Sequence, residues 1–449
     1  IHINMYLIKL RYNLSQSHNR TIEYMFALLI YRVIIVFLMP VLLLALLFRS
    51  ISNPQYRKHL SERLGFSPNG KGGIVVHAAS VGEVLALTPF VEQLLLNYPL
   101  LPITITTFTP TGSAQVKKQF GSRVQHGFLP LDVFPCTALF LKRLQPKLMI
   151  FMETELWPNL INQCANKKIK LLLINGRLSA NSMKSYQKIS ALIKPTLNCF
   201  DKIMCQSQDN LNNFIQLGAD TERCQMSGNL KFDISISAST SEKQARLAKL
   251  LPSNRKLWLI ASTHQGDESL ALMAFKIIEK QFPELLLVIV PRHPERFNSV
   301  AKLCINQGYS LIKRSENEPV SDQSIWLLDT LGELMAAYAL ADIVTMGGSF
   351  SHIGGHNPLE PALFKKPIIV GSDMSNFTDI LQQLQHEQGV VQLTSTNQDD
   401  HVQQLAQAVM DLLENNETAS LLGSHAYQVV QSNQGASALS LAQVKELMI

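Results

Sequence analysis

The sequence predicts an α/β protein built from two doubly wound domains in succession, with an apolar helix ahead of them. Short apolar runs typical of buried strands alternate with helical segments from Gly73 onward, which indicates parallel sheets covered by helices on both faces. A polar stretch of small residues at 228–250 interrupts this alternation, which then begins again. The run Phe26–Phe48, ahead of both series, is almost wholly apolar. At 449 residues the chain is long enough for two domains and an anchor.

The composition is that of a globular protein and argues against several functions. The chain has 46% hydrophobic and 16% charged residues, and its formal net charge is +6. The charge forms no basic stripe with interleaved aromatic residues, so we expect no nucleic acid as partner; an anionic membrane surface or a phosphorylated substrate suits it better. The six cysteines are scattered without a CxxC pair, which favours reduced thiols in the cytoplasm over a disulfide scaffold or structural zinc.

The N-terminal region contains a candidate membrane anchor at residues 25–49. Residues 1–24 carry no readable pattern, and we treat them as an uncertain extension with Met25 as the expected start. The run Phe26–Phe48 has about the length that a helix needs to cross a bilayer core. A buried core helix and a secretory signal are the alternatives, although no small-residue cleavage site follows the run. Arg32 inside it leaves a monotopic, half-inserted helix open.

Basic residues follow the apolar run at Arg49, Arg57, Lys58 and Arg63. By the positive-inside rule they keep the large C-terminal part of the chain in the cytoplasm. We therefore expect a single-pass or monotopic anchor with both domains on the cytoplasmic face of the membrane.

The apolar runs place strands in two series on either side of the polar stretch. The first series is 74–76, 103–108, 148–152, 171–174 and 203–205, with a helix at Val84–Tyr98 after its first strand. The second series is 257–261, 285–290, 324–328, 343–346 and 367–370. We predict domains at 50–232 and 253–449, joined by a linker at 233–252 and facing a central cleft.

Ligands bind open α/β sheets beyond the carboxyl ends of the strands, so the loops after strands are the candidate sites. In the first domain, Ser80 and Glu83 have capping-box spacing, and Glu83 either caps a helix or accepts a proton from a hydroxyl at the cleft. Glu153 and Glu155 follow the third predicted strand, where paired carboxylates rarely serve packing. Lys231 lies near the predicted linker and either projects into the cleft or is solvated.

The loops of the second domain predict a nucleotide pocket. Ser262 and Thr263 supply hydroxyl groups at a helix start. Pro291, Arg292 and His293 follow the next strand, and the planar fork of an arginine suits phosphate. A further loop carries Gly332, Glu333 and Leu334, in which Glu333 has capping-box spacing from Thr330. Each loop has an ordinary structural explanation, but their convergence at the strand ends of one domain favours a ligand.

The glycine-rich segment 347–362 runs from a strand through Gly348 and Ser349 to a helix start. Asn357 is a favoured N-cap, Pro358 fits the first helical position, and Glu360 at the third can return a capping bond. Free N–H groups and the positive dipole end make such a helix terminus a natural seat for phosphate. An ordinary βα turn is the alternative. The sequence contains no P-loop, HExxH, GxSxG or metal-ligand cluster.

Together these motifs resemble the family of 3-deoxy-D-manno-octulosonic acid (Kdo) transferases, which attach Kdo to the lipid A precursor. The resemblance runs from about Met25 to nearly the C-terminus and rests on strings in the family's order: HAASVGE, TPTGS, METELWPN, NGRLS, GNLKFD, ASTHQGDE, VPRHPERF, DTLGEL and GGHNPLEPA. It implies a GT-B fold, one N-terminal anchor in the inner membrane, CMP-Kdo as donor and lipid IVA as acceptor. It also implies an inverting transfer without a metal or other cofactor, and no obligate protein partner is evident.

The resemblance implies a role for individual residues. Glu83 matches the family's catalytic base, and Glu153 and Lys231 match residues that support the transition state. The CMP-binding segments of the family match Pro291, Arg292, Gly332, Glu333, Leu334, Asn357, Pro358, Leu359 and Glu360. To these we add Ser262, Thr263, His293, Gly348 and Ser349 from the loops described above. A GT-B transferase or epimerase of UDP-sugars and a membrane-tethered binding protein remain the alternatives.

Overall fold

The computed structural model describes residues 2–57, 59–67, 70–395 and 397–449, and gives the backbone alone at 2–21, 52, 398 and 399. Among the predicted basic residues, Lys58 lies outside the described set. Only the backbone is described up to residue 21. The expectation that residues 1–24 are an uncertain extension and that the protein starts at Met25 therefore stays a prediction.

The described residues form two parallel sheets of seven strands each. The first sheet consists of β1 (Ile74–His77), β2 (Ile103–Thr107), β3 (Gln125–Phe128), β4 (Leu148–Met152), β5 (Lys170–Gly176), β6 (Lys202–Cys205) and β7 (Cys224–Met226). The second consists of β8 (Leu257–Thr263), β9 (Leu286–Pro291), β10 (Leu311–Lys313), β11 (Ile325–Leu327), β12 (Ile343–Met346), β13 (Ile368–Val370) and β14 (Val391–Gln392). The predicted α/β class is therefore confirmed.

Helices connect these strands and cover both sheets. In the first half of the chain they are α1 (His2–Ser52), α2 (Leu60–Arg63), α3 (Val81–Asn97), α4 (Pro110–Phe120), α5 (Phe134–Leu144), α6 (Pro158–Asn166), α7 (Ala180–Gln187), α8 (Ser190–Leu197) and α9 (Gln208–Leu217). The remaining helices are α10 (Ala238–Ala248), α11 (Asp267–Ile278), α12 (Phe297–Asn306), α13 (Leu334–Leu340), α14 (Leu359–Ala362), α15 (Thr378–His386), α16 (Gln398–Glu414), α17 (Asn416–Asn433) and α18 (Ala436–Leu447).

The strand order of each sheet creates one switch point. The first sheet runs β3-β2-β1-β4-β5-β6-β7, and the second runs β10-β11-β9-β8-β12-β13-β14. The chain first winds outward in one direction and then returns to the middle, so the order reverses between β1 and β4 and again between β8 and β12. At such a point two loops diverge and leave a crevice at the carboxyl ends of the strands. Each unit therefore has one position where its fold favours a ligand.

The central strands follow from their apolar runs, and the strands that the sequence did not reveal are all at sheet edges. Those four are β3, β7, β10 and β14. A central strand such as β4 is buried along its whole length, because helices cover both faces of a parallel sheet. The edge strand β7 is partly exposed throughout, so it contains no continuous apolar run. The missed strands are thus the ones with the least hydrophobic burial.

The chain divides into two compact units, and the boundary after residue 233 falls next to the predicted end of the first domain at residue 232. Unit 1 comprises residues 1–233 and 434–449, and unit 2 comprises 234–433. The predicted linker 233–252 is wrong, because most of it is the helix α10, which packs against α13 of unit 2 with Leu247 fully buried. Apart from the buried Thr240, the small polar residues at the start of this helix lie on its solvent face.

The assignment of residues 434–449 to the second domain is also wrong, because α18 belongs to unit 1. Ala436, Leu441 and Val444 are buried in the same hydrophobic cluster as the residues of α3. Asp233 holds the start of α18, since its carboxylate accepts hydrogen bonds from Gly435 N, at 2.6 Å, and from Ser437 N. Unit 1 is therefore discontinuous in sequence.

The N-terminal helix α1 is longer than the predicted anchor and packs against α6 and α8 of unit 1. Its segment Ile22–Ile51 is the one described helix that is long and apolar enough to cross a membrane, by length and composition. Pro40 lies within this helix.

Candidate functional site

The switch point of unit 1 carries Glu83 in the first turn of α3. Ser80 is the N-cap of this helix, and its Oγ accepts a hydrogen bond from Glu83 N at 3.3 Å. In return, the Ser80 hydroxyl donates to Glu83 Oε1 at 2.8 Å, and Ala79 N donates to Oε2 at 2.9 Å. The capping role is therefore present in the structure, and it fixes the carboxylate in a defined orientation at the end of β1.

The surroundings of Glu83 make its carboxylate more basic than that of a free glutamate. Burial raises the pKa of Glu83, and the negative charge of Glu155 raises it further. The hydrogen bonds from Ala79 and Ser80 and the neighbouring His77 act in the opposite direction. A carboxylate with a raised pKa is a better general base near neutral pH.

The loop after β4 places Glu153 and Glu155 beside Glu83. Glu153 has a left-handed backbone with φ 57°, which turns the chain sharply at the end of the strand. Glu155 Oε2 accepts a hydrogen bond from Trp157 Nε1 at 2.9 Å and lies 3.6 Å from His77 Nε2. His77 is fully buried, and it is a residue whose part in the site the sequence did not indicate.

Glu153 and Lys231 are electrostatically coupled. Burial raises the pKa of Glu153, the charge of Glu83 raises it further, and Lys231 and Arg177 lower it. Lys231 is held in a single turn, Leu230–Phe232, which Asn175 Oδ1 anchors by accepting a hydrogen bond from Leu230 N at 2.9 Å. The structure therefore brings together the three residues predicted as catalytic, Glu83, Glu153 and Lys231. Arg177 is an additional cation that the sequence reading missed.

Arg63 is buried, and the prediction that it serves as a membrane-facing basic residue is wrong. Its guanidinium lies 5.0 Å from the ring centroid of Phe108 and 4.6 Å from that of Phe128, and it donates to the Phe108 carbonyl at 2.7 Å. Phe108 in turn stacks on Trp157, which adjoins Glu155. Arg63 thus supports an aromatic pair next to the carboxylates instead of contacting lipid headgroups.

The switch point of unit 2 is held by Asp267, at the start of α11. Its Oδ2 accepts hydrogen bonds from His264 N at 2.8 Å and from Gly348 N at 2.7 Å, so it joins the loop after β8 to the loop after β12. Burial raises the pKa of Asp267 to about 6 despite these bonds. Near the end of β8, Ser262 adopts a left-handed conformation with φ 56°, where the pairing with β9 is irregular. Asp267 is a positioning residue that the sequence reading did not single out.

An ion pair between the buried Glu268 and the partly exposed Arg296 lies beside Thr263. Arg296 donates to both carboxylate oxygens of Glu268, at 2.6 and 2.9 Å, and Thr263 Oγ1 donates to Glu268 Oε1 at 2.6 Å. Planar, bidentate pairs of this kind are strong and orient both partners. The hydroxyl of Thr263 is therefore occupied inside the unit, although it was predicted to contact the donor.

Three histidines from three loops meet next to Asp267. His264 Nε2 and His356 Nε2 lie 2.9 Å apart with their rings stacked, and the ring of His293 is 5.3 Å from that of His264. Burial and the neighbouring His264 lower the pKa of His356 to about 4, and burial also lowers the pKa of His264. Two neutral imidazoles can share one proton across this contact, and the ring that accepts it keeps one N–H at its Nδ1 with which to donate to an anion.

Arg292 is the cation that this loop cluster leaves exposed. Its backbone N–H donates to the Thr263 carbonyl at 3.1 Å, whereas its side chain forms no ion pair among the described residues. Its charge nevertheless acts on the loop after β12, because it lowers the pKa of His356 and of Glu360. Arg292 is therefore placed to bind a phosphate near these residues.

The helix predicted after the glycine loop is only one turn, α14. Pro358 occupies its N-cap instead of its first helical position, and Asn357 Oδ1 accepts a hydrogen bond from Leu359 N at 3.2 Å. So short a helix has only a small dipole, and the predicted seat for phosphate depends on Arg292 and individual N–H groups more than on a helix terminus. Burial raises the pKa of Glu360 to about 7, against the effects of Asn357 and Arg292.

Two other residues predicted to bind the donor, Ser349 and Glu333, are buried and make contacts within the protein. Ser349 is buried, and its hydroxyl donates to the Met346 carbonyl at 2.6 Å and accepts from Gly371 N at 2.8 Å. Glu333 is the N-cap of α13, pairs with Arg314 at 3.1 Å and accepts from the Thr330 hydroxyl. Thr330 is therefore not the N-cap that its spacing predicted. Gly332 has φ 80° in the same loop, which follows β11 and therefore lies at the carboxyl ends of the strands, as do the loops after β8 and β9.

Gly347 is required by the close approach of β8 to the loop after β12. A Cβ at this position would lie 2.7 Å from the Ser262 carbonyl oxygen and 2.8 Å from that of Ala261. Because both obstacles are backbone atoms, we expect Gly347→Ala to reduce the free energy of unfolding by about 1–3 kcal/mol, the usual cost of overpacking. Thermal or urea unfolding measures this effect.

Gly82→Ala is the matched control for this measurement, because the nearest atom to its Cβ would be 3.9 Å away. Because Gly82 lies in the helix α3, where alanine is favoured over glycine, that variant should be at least as stable as the parent chain. Equal stability of both variants would contradict the close approach at Gly347.

Among the described residues, no group of three or more His, Cys, Asp or Glu side chains is arranged to hold a metal ion. The cations of the two sites are the side chains Lys231, Arg177 and Arg292. These residues can stabilise negative charge on a substrate or leaving group.

Comparison with known proteins gives consistent results for both units. Residues 58–234 match the family model described as 3-deoxy-D-manno-octulosonic-acid transferase (kdotransferase). Residues 262–429 match the model of glycosyl transferases group 1. A 3-deoxy-D-manno-octulosonic acid transferase of Haemophilus influenzae is 42% identical over 402 residues, which cover 88% of this chain and 93% of that protein.

Two solved structures resemble the whole two-unit fold. The UDP-GlcNAc 2-epimerase of Neisseria meningitidis has a TM-score of 0.54 at 14% identity and covers 83% of this chain and 100% of its own. A glycosyltransferase of Rickettsia africae has a TM-score of 0.51 at 15% identity, with 84% and 99% covered. At these identities the similarity shows the fold alone, and that fold is the GT-B-like arrangement of two α/β units.

Proposed function

This chain belongs to the 3-deoxy-D-manno-octulosonic acid (Kdo) transferase family, and from this premise we propose that it transfers Kdo from CMP-Kdo to the lipid A precursor lipid IVA. The observation that carries the proposal is the position of Glu83, whose carboxylate is held at the switch point of unit 1 with its pKa raised by burial and by Glu155. Chemically, the protein is a glycosyltransferase of lipopolysaccharide biosynthesis.

In the proposed reaction, Glu83 is the general base. A glucosamine hydroxyl of lipid IVA loses its proton to Glu83 while its oxygen attacks the anomeric carbon of Kdo. The bond from that carbon to the CMP phosphate breaks, and the electron pair leaves with CMP. One displacement of this kind inverts the anomeric configuration. Lys231 and Glu153, coupled to each other beside Glu83, orient the reacting groups and stabilise charge in the transition state.

Unit 2 supplies the donor site in this proposal. Arg292, whose side chain has no ion pair among the described residues, binds the phosphate of CMP and stabilises it as it leaves. The stacked pair His264 and His356 lies in the same loop cluster and donates to the phosphate or the Kdo carboxylate. Glu360 accepts hydrogen bonds from the ribose hydroxyls. The positive charge of Arg292 stabilises the leaving phosphate, as a metal ion does in other transferases.

The membrane location follows from the acceptor and from α1. Lipid IVA is a membrane lipid, and the apolar segment Ile22–Ile51 can hold the enzyme at its surface. Arg49 and Arg57 are exposed near the end of this helix and favour the cytoplasmic face of the inner membrane.

The direct test is a mass spectrum of lipid IVA after incubation with the protein and CMP-Kdo. We expect the mass to rise by one or more Kdo residues, and we expect the same product in the presence of EDTA. Replacing CMP-Kdo by UDP-GlcNAc is the control and should leave lipid IVA unchanged. Lipid IVA that stays unmodified in the presence of CMP-Kdo would contradict the proposed function. Strict dependence on a divalent ion would contradict the proposed role of Arg292.

The pH dependence of transfer tests the environment of Glu83. A general base must be ionised, so the rate should fall as the pH falls through the raised pKa of Glu83. Glu155→Gln removes a negative charge that raises this pKa, and we therefore expect the acid limb of the rate profile to move to lower pH. Glu242→Gln, on α10 of unit 2, is the matched control and should leave the profile unchanged. An acid limb that does not move in Glu155→Gln would show that another group controls it.

A further inference from the structure

The helix α1 contacts unit 1 along one continuous stripe. The inner stripe consists of Leu28, Ile35, Met39, Leu43, Leu46 and Ser50, which recur at intervals of three, four or seven residues and lie on one face. Ile35, Met39 and Leu43 pack against the buried residues Leu131, Val133 and Cys136 of unit 1. The helix therefore lies lengthwise on the unit over several turns.

Two polar contacts fasten the middle of this helix to unit 1. The Tyr31 hydroxyl donates to Asp132 Oδ2 at 2.8 Å, and Arg32 Nε donates to Asn159 Oδ1 at 2.8 Å. The Arg32 guanidinium also lies over the ring of Phe134, 5.3 Å from its centroid. The single charge in the middle of the apolar run thus faces protein and not lipid.

Asp132, which accepts the hydrogen bond from Tyr31, is a buried carboxylate that needs hydrogen-bond donors. It is buried, and its carboxylate also accepts hydrogen bonds from Asn159 N and Leu160 N, both at 2.9 Å, at the start of α6. Removal of α1 from unit 1 would take away a hydrogen-bond partner of this buried carboxylate and would expose the apolar cluster beneath the inner stripe. The contact between α1 and unit 1 is therefore part of the folded unit.

The opposite face of α1 is exposed and wholly apolar. The outer stripe consists of Phe26, Val33, Phe37, Val41, Leu44 and Phe48, with Phe37 77% and Phe48 76% exposed. A helix on the surface of a soluble protein presents charged and polar residues on this face. Apolar patches of such length mark a surface that is covered by lipid or by another protein.

We propose that α1 is a monotopic membrane helix, which lies in the plane of the bilayer surface with its inner stripe on unit 1 and its outer stripe among the acyl chains. A helix that crossed the bilayer would be surrounded by lipid and would lose the contacts of Tyr31, Arg32 and the inner stripe. The exposed Arg49 and Arg57 lie near the end of the apolar segment, at the level of anionic headgroups. This inference rests on the membrane acceptor of the proposed function, but it concerns only the geometry of attachment.

Cysteine labelling across sealed membrane vesicles tests the proposal without measuring transfer. Glu23→Cys reports the start of the apolar segment, and Lys118→Cys reports the side on which unit 1 lies; both positions are exposed. A membrane-impermeant maleimide should modify residues 23 and 118 from the same side, as mapped by mass spectrometry of their peptides. Modification of the two residues from opposite sides would show that the helix crosses the bilayer, and would overturn the proposal.

Substitution within the outer stripe tests its contact with lipid. Phe37→Lys combined with Phe48→Lys should lower the affinity for vesicles with anionic lipids by at least about tenfold, because two large apolar side chains leave the acyl region. Leu100→Lys replaces an even more exposed apolar residue outside α1 and should bind as the parent chain does. Unchanged binding of the double variant, or a soluble dimer that shields the outer stripe instead of binding vesicles, would contradict the proposal.

Discussion

Glu83→Gln should lower turnover by about 10²–10⁴-fold, the effect expected on losing a positioned general base. Glutamine keeps the size of the side chain and can still take part in the capping contacts with Ala79 and Ser80. Stability should therefore hardly change, and CMP binding should persist because the donor residues belong to unit 2. Turnover, CMP affinity and melting temperature, measured on the same preparation, separate catalysis from folding.

The controls for this variant come from the same helix. Glu92→Gln changes an exposed carboxylate of α3 that pairs with Arg123, and it should leave turnover unaffected. Glu83→Ala should cost about 1 kcal/mol of stability in addition to the lost activity, because it removes the carboxylate that accepts hydrogen bonds from Ala79 N and the Ser80 hydroxyl at the start of α3. If Glu83→Gln transferred Kdo at nearly the parent rate, Glu83 would be a cap and the proposed mechanism would be wrong.

Arg292→Ala should weaken the binding of CMP about 10–150-fold, which corresponds to the roughly 1.5–3 kcal/mol of a charge-assisted hydrogen bond. The guanidinium has no ion pair among the described residues, so its loss should not lower the melting temperature. Calorimetric titration with CMP provides the affinity.

Two basic residues of unit 2 serve as controls for Arg292. Lys302→Ala removes an exposed positive charge from α12 and should leave CMP affinity unchanged. Arg296→Ala should instead destabilise the protein by about 3–5 kcal/mol, because it leaves the buried Glu268 unpaired. An Arg292→Ala protein that binds CMP as tightly as the parent would place the phosphate elsewhere.

The sequence was sufficient for the central strands and for the loops that carry the site, because both depend on local patterns. Strand β12 was predicted at its observed bounds, since all four of its residues are buried and three of them are apolar. The grouping of Glu83 with Glu153 followed from topology, because parallel strands end at the same edge of a sheet. Such local and topological rules need no knowledge of packing.

What the sequence could not reveal depends on contacts between distant segments. Nothing near Arg63 distinguishes a membrane-facing arginine from one that is enclosed by Phe108 and Phe128. The polar residues of α10 concealed a helix, because Leu247 is its one buried apolar residue and gives a weak periodicity. The meeting of His264 and His356, ninety-two positions apart, is likewise fixed by the fold and not by the spacing.

The discontinuity of unit 1 has a consequence for synthesis on the ribosome. The cluster around α3 is complete only when Ala436, Leu441 and Val444 have been made, after all of unit 2. Unit 2 is contiguous and can finish folding earlier, although its residues follow most of unit 1 in the chain. A nascent chain therefore carries a half-finished first unit with an exposed apolar surface until translation has passed α18, and it needs protection from aggregation during that interval.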